Sequence, residues 1–228
     1  MQGGLIVKTV VFMPIKLNNE RTPGKNIKEF SDGTPLLKIP LYTALKAKKR
    51  GVIDQIVVFC SDEKICKYLP DGVDFLKRPQ ELDLQSVKCA DIIQGFLEVV
   101  RADIYVMYHA TSPFISEKHL IECIDAVKSG EYDSAFAAKK IQNFMWYENK
   151  PLNFTLDYAP RTQDMKPYYC ELSSPYVFTK EVFVRYHGRT GINPYICECS
   201  EIEAIDIDYP EDFELANAVY MSLIKGEE

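Results

Sequence analysis

The sequence predicts an α/β fold built on one mostly parallel sheet, and three observations carry that reading. Short apolar runs of strand type alternate with longer stretches whose apolar residues recur at helical spacing. The stretches are punctuated by residues that start or stop helices, with Pro40 and Ser116 ahead of two of them and Gly51 behind the first. A chain of 228 residues with 46% hydrophobic composition can bury one substantial core, so residues 1–228 are expected to form a single domain.

In chain order, residues 7–13 read as the first strand. The stretch following Pro40 is helical through Leu41, Ala44 and Leu45 and is closed by Gly51. Residues 55–60 read as the second strand, running into Ser61-Asp62-Glu63, where the serine or the aspartate can cap a short helix carrying Ile65 and Leu69. Ile92, Ile93, Phe96, Leu97 and Val100 repeat at helical spacing, which makes residues 86–101 an amphipathic helix lying on one sheet face. Residues 104–108 are a strand, Ser116 caps a helix with Leu120, Ile121, Ile124 and Val127 on one side, and residues 134–139 are a further strand.

From 141 to 160 the pattern weakens. Trp146, Tyr147, Phe154 and Tyr158 stand among polar residues, as in an excursion that packs away from the sheet, with a contact between two copies one candidate. Order returns at 176–178, 194–199 and 202–207. A helix from Pro210 through Ile224 closes the chain, with Glu211 and Asp212 in its first turn.

Acidic residues outnumber basic ones, 33 to 27, and a net charge of −6 gives no general pull toward nucleic acid or an anionic membrane. The opening apolar run is too short for a signal peptide, and no segment approaches the ~20 apolar residues of a membrane span, so a cytoplasmic location is expected. Seven cysteines read as reduced thiols. Cys197 and Cys199 form the one close pair; lacking a companion pair at zinc spacing, they read as packing residues, and His119 and His187 as surface residues.

Two segments carry chemistry. Residues 16–26 (K-L-N-N-E-R-T-P-G-K-N) leave the C-terminal end of the first strand, where open α/β sheets hold ligands. Lys16, Arg21 and Lys25 offer cationic donors to phosphate oxygens, Asn18, Asn19 and Asn26 can bond a base or ribose, and Gly24 lets backbone approach a ligand. A solvated polar turn has the same composition, and the pattern is not a P-loop. The second segment, Asp206-Ile207-Asp208, places two carboxylates on one face of a strand end, where both can reach one magnesium ion. The alternative is that Asp208 caps the helix at Pro210 and Asp206 is solvated.

Residues 14–26 resemble the P-A-R-G-G-S-K-R-I-P-x-K-N signature of the CMP-sialic acid synthetase (acylneuraminate cytidylyltransferase) family, retaining Pro14, Arg21, Pro23, Gly24, Lys25 and Asn26. Arg78-Pro79-Gln80-Glu81-Leu82 is similar to that family's R-P-x-x-L, and Thr111-Ser112-Pro113 to its Q-P-T-S-P. Gln163-Asp164 with Pro167, Tyr169 and Glu171 resembles R-R-Q-D-L-P-P-x-Y-R-E-N-G, and residues 205–212 resemble I-D-I-D-T-P-E-D. The motifs occur in family order over nearly the whole chain.

The resemblance implies a three-layer, mostly parallel twisted sheet of the Rossmann-like nucleotidyltransferase kind, with residues 141–175 as a small dimerisation and substrate excursion. It implies a homodimer that uses CTP and Mg²⁺ to couple CMP to a sugar acid's hydroxyl. Arg21, Lys25, Asp206 and Asp208 would be catalytic, and the two aspartates would hold the metal. Lys16, Asn19, Arg21, Lys25, Asn26 and Arg78 would bind nucleotide; His109, Thr111, Ser112, Gln163, Asp164 and Tyr169 would contact the acidic sugar.

The departures are local. Lys16 stands where the family has arginine, and residues 17–20 replace its G-G-S-K. His109 replaces the glutamine of Q-P-T-S-P, and Cys170 and Leu172 replace the arginine and asparagine of R-E-N-G, which points away from N-acetylneuraminate itself as acceptor. Alternatives are a transferase with another nucleotide or a phosphosugar acceptor, a glycosyltransferase in which Asp206 and Asp208 form a D-x-D metal site, and a noncatalytic relative.

Overall fold

The structure, a computed structural model, describes residues 7–19 and 22–225. In chain order its elements are β1 (Thr9–Ile15), α1 (Lys38–Lys49), β2 (Gln55–Cys60), β3 (Asp74–Lys77), α2 (Cys89–Val99), β4 (Ile104–Met107) and α3 (Glu117–Lys128). There follow β5 (Ser134–Ile141), β6 (Trp146–Tyr147), β7 (Lys150–Pro151), β8 (Tyr168–Thr179), α4 (Lys180–Tyr186), β9 (Pro194–Cys199) and α5 (Pro210–Val219), which continues as a π-helical turn over Tyr220–Ile224. Seven strands join in the order β3-β2-β1-β4-β8-β5-β9. All neighbours are parallel except β8, which runs antiparallel to both β4 and β5.

The alternation of side chains along a strand explains why both faces of this sheet are covered. On β1, Val11, Met13 and Ile15 enter one core with Leu41 and Ala44 of α1 and Leu120 and Ile124 of α3. Val10 and Phe12 enter the other, with Ile93 and Phe96 of α2 and Val182 and Phe183 of α4. The result is three layers, as expected. Phe96 is the centre of the second core, stacked on Phe12 at 4.3 Å and edge-on to Phe59 at 5.4 Å between ring centroids.

A third cluster places the site. Phe30 stacks on Phe213 of α5 at 5.0 Å and on Tyr220 at 4.9 Å, and Ile207 is buried with them. This packing draws residues 205–208 across the end of β4, where the Ile207 N–H donates to the Thr111 carbonyl at 2.9 Å.

Four differences from the sequence reading have physical causes. β3 and α4 were not read, because four and seven residues are too few to display a period. β8 begins at Tyr168, paired with Ile141, so the excursion proper spans 142–167 and residues 168–175 belong to the sheet. Residues 202–207 are not a strand: the chain turns through 201–204 and then runs as an irregular extended segment. Helix α2 starts at Cys89, not residue 86, where the Asp91 carboxylate accepts the Lys88 N–H at 2.7 Å. The caps at Asp62 and Ser116 form as read.

Candidate active site

Gly24 sits at φ 67°, the left-handed region where glycine alone is unstrained, and turns the chain after β1 into a 3-10 turn over Lys25–Ile27. That turn tucks Lys25 beneath the segment carrying Asp208. The Lys25 Nζ donates to the Ile207 carbonyl at 2.6 Å and to Asp208 Oδ1 at 3.0 Å, and its side chain is 11% exposed. Thr22 Oγ1 donates to the Asp208 carbonyl at 2.9 Å. Two motifs separated by most of the chain are therefore one structural unit. Arg21 lies outside the described residues.

Around this unit a cleft of about 330 Å³ opens at the C-terminal ends of the parallel strands, lined by Lys16, Asn19, Lys25, Asn26, Arg78, His109 and Thr111 among others. Asn26 is buried, and its Nδ2 donates to the Lys16 carbonyl at 3.0 Å and to Asn19 Oδ1 at 3.5 Å. These bonds make it a brace for the loop.

Arg78 is not a surface ion pair: its side chain is 2% exposed and bonds the Asp83 carboxylate, whose other oxygen accepts from Ser61 Oγ. Lys16 Nζ reaches the Asp83 carbonyl at 3.3 Å. Asp83 and Ser61 were missed in the sequence, where the only signal was an acid five positions beyond the arginine.

His109 lies just past the end of β4 in the cleft, its backbone N–H donating to Ser174 Oγ at 3.0 Å. Burial first, then the Arg189 and Lys25 cations, push its pKa down to about 4, so the imidazole is neutral at physiological pH and can donate or accept a hydrogen bond. The unfolded chain binds that proton near the ordinary value of 6.5. The stability contributed by neutral His109 is thus present above pH 6.5 and lost as pH falls toward 4, up to ~3 kcal/mol. Urea midpoints of His109→Gln should decline less steeply than those of the parent between these pH values; parallel declines would contradict the shift.

A second cleft of about 470 Å³ adjoins the first where Thr111 passes to Ser112, and is lined by Ser112, Lys139, Cys170, Leu172, Ser173 and Asp206 among others. Ser173 Oγ donates to Asp206 Oδ2 at 2.5 Å. Asp206 Oδ1 and Ser112 Oγ are buried and find no hydrogen-bond partner among the described residues. Lys139, which pairs with Glu201 at 2.5 Å, was also missed; it lies in the second half of β5 and carries no motif.

Residues 206–208 are not a strand; Ile207 is buried between two partly exposed aspartates. The carboxylates have different partners, Ser173 for Asp206 and Lys25 for Asp208. Asp208 does not cap α5; Asp212 does, accepting the Asp208 and Tyr209 N–H groups at 3.0 and 2.8 Å. Gln163, Asp164 and Tyr169 line neither cleft. The Gln163 carbonyl accepts from Gln142, Asp164 pairs with Arg161 at 2.7 Å, and Tyr169 reaches Glu198 at 3.4 Å.

A mostly parallel, doubly covered sheet with a cation-lined cleft at its C-terminal edge and an acid-bearing one beside it defines a nucleotide-handling α/β protein. The cytidylyltransferase family model matches residues 10–227, and the chain belongs to that family. It is 30% identical over 204 residues to N-acylneuraminate cytidylyltransferase A of Danio rerio, covering 85% of this chain and 46% of that protein. With N-acylneuraminate cytidylyltransferase of Escherichia coli it shares 23% over 221 residues, covering 92% of this chain and 51% of the relative. The chain thus spans about half the length of these relatives. Among solved structures, a CMP:2-keto-3-deoxy-manno-octonic acid synthetase complexed with CTP superposes with a TM-score of 0.68 at 15% identity, covering 94% of this chain and 98% of that one. A 4-diphosphocytidyl-2C-methyl-D-erythritol synthase from Anaerococcus prevotii gives 0.66 at 14%, covering 94% and 99%. Both show the fold.

Proposed function

We propose that this chain transfers CMP from CTP to the hydroxyl of a nonulosonic, sialic-acid-like or related sugar acid, releasing pyrophosphate. The observation that carries the reading is the contact of Lys25, which lines the first cleft, with Asp208, two residues from Asp206 of the second. In such a transfer, the acceptor oxygen bonds the α-phosphorus as the bond to pyrophosphate breaks, and negative charge gathers on the nonbridging and leaving oxygens. Lys16, Arg21, Lys25 and Arg78 are the cations assigned to that charge, with Asn19 as a polar nucleotide contact and Asn26 holding their loop. His109, Thr111 and Ser112 run from the first cleft into the second and are assigned to the acceptor. Lys139, in the second cleft where Cys170 and Leu172 lack charge, supplies a cation for an acidic sugar.

Magnesium belongs to this reading, held by Asp206 and Asp208. The partnerless, buried Asp206 Oδ1 is the kind of anionic oxygen that a hard cation satisfies. When bound, the ion would add positive charge at the phosphate oxygens.

A homodimer and a cytoplasmic location, where CTP is made, also belong to it. No helix among the described residues is long and apolar enough to cross a membrane. In the 142–167 excursion, Trp146 is 56% and Tyr147 65% exposed on the β6-β7 ribbon, an apolar surface that a second copy would cover. Gln163, Asp164 and Tyr169 keep a substrate role only if that second copy brings them to a cleft. Replacing Trp146 and Tyr147 by serine should shift light-scattering mass from dimer to monomer; an unchanged dimer places the contact elsewhere. Nucleotide choice is tested by thermal shift with Mg²⁺ and each nucleoside triphosphate. CTP should raise the midpoint most, and equal shifts would remove the cytidine assignment.

A further inference from the structure

Away from both clefts, α3 packs on β9, the sheet's outer strand. His119 and Cys123 stand one turn apart on α3, facing Cys197 and Cys199, which share one face of β9 because side chains alternate along a strand. The His119 ring and the two β9 sulfurs offer ligand atoms all within 4.8 Å of one another. Three such atoms fit in a circle of radius about 2.8 Å, close to the ~2.0–2.3 Å bonds that zinc makes with nitrogen and sulfur. Cys123 is buried in the same core, outside that close set. All three cysteines are buried, at 0%, 0% and 7% exposure.

We propose that His119, Cys197 and Cys199 form a site for zinc or a similar soft divalent cation.

The surroundings favour a metal over plain packing of thiols. Thiols are weak hydrogen-bond donors, so three ligand groups drawn together at the edge of a core gain little from one another. The His119 Nδ1 lies 2.7 Å from Glu203 Oε1. Glu203 also accepts from the Ser116 and Ser200 N–H groups, each at 2.9 Å, so its carboxylate takes the proton of His119 Nδ1 as a hydrogen bond and leaves Nε2 as the ligand atom. A carboxylate that orients a histidine in this way is the usual outer shell of a zinc ligand.

The site would have a structural role. Directly after Cys199 the chain turns through Ser200 and Glu203 and then supplies Asp206 and Asp208. A metal clamping β9 to α3 would fix the root of that segment, while Glu203 ties it to the Ser116 N–H at 2.9 Å.

The test is titration of the reduced full chain, stripped with chelator, with Co²⁺. One equivalent should give tetrahedral d–d bands with sulfur-to-cobalt charge transfer, both removed by stoichiometric Zn²⁺, and Zn²⁺ should raise the melting temperature. His119→Gln, which can still donate to Glu203, should weaken Co²⁺ binding by at least ~10-fold with an unchanged far-UV spectrum, and Cys199→Ser should abolish the charge-transfer band. A variant lacking the exposed Cys66 and Cys170 should behave as the parent. Absence of the bands in the parent, their survival in both site variants, or their loss with Cys66 and Cys170 overturns the proposal. So does a disulfide within the cluster found by mass spectrometry of freshly isolated protein.

Discussion

Lys25→Ala should lower turnover by roughly 10²–10³-fold and leave the far-UV spectrum unchanged, the size seen when one preorganised donor to a developing oxyanion is removed. The lysine is held by the Ile207 carbonyl and Asp208 Oδ1, and it lines the first cleft. A cation fixed there before substrate arrives needs no reorganisation as charge builds on the phosphate. Asp208→Asn should give a loss of similar order, since it removes both the charge that orients Lys25 and one of the two carboxylates assigned to magnesium. Wild-type rates in either variant would remove this pair from the site.

Arg78→Ala is expected to cost 3–5 kcal/mol of stability, about the loss found when one member of a buried ion pair is removed. Arg78 and Asp83 are 2% and 22% exposed, and the deletion leaves the Asp83 carboxylate with Ser61 Oγ as its remaining hydrogen-bond donor. Removing Asp83 as well should restore part of the loss, because the stranded charge goes with it. The same variant should bind nucleotide more weakly, since Arg78 lines the first cleft. Urea denaturation of the two single variants and the double variant measures the coupling. A single-variant loss below about 1 kcal/mol would return Arg78 to the status of a surface pair.

Legibility in the sequence followed the length of the pattern. The strands at 55–60 and 194–199 and the helix beginning at Pro210 were readable because period, cap and flanking residues agreed. β3, with four half-exposed residues, and α4, with seven, offer no such agreement. β8 was half missed, since its first residues are exposed and aromatic and are recognisable as strand only by their pairing with β5.

The site was legible as two separate motifs. The sequence held Lys25 and Asp208 as charges of the right kind, but their contact depends on the burial of Ile207 beside Phe30 and Phe213, a tertiary fact. Asp83 and Lys139 had no motif to announce them. Cys197 and Cys199 pack in the core as read, while His119, read as a surface residue, has a side chain only 17% exposed. Spacing along the chain cannot show that α3 and β9 face each other, although the i, i+4 and i, i+2 spacings were both present.

The most direct test of the central claim is pyrophosphate release by the purified chain with Mg²⁺, CTP and a panel of nonulosonic and related sugar acids. The account predicts release that requires both CTP and one of the acids, with the matching CMP-sugar formed in equal amount. Release no greater than in a control lacking the acid, across the whole panel, would contradict it.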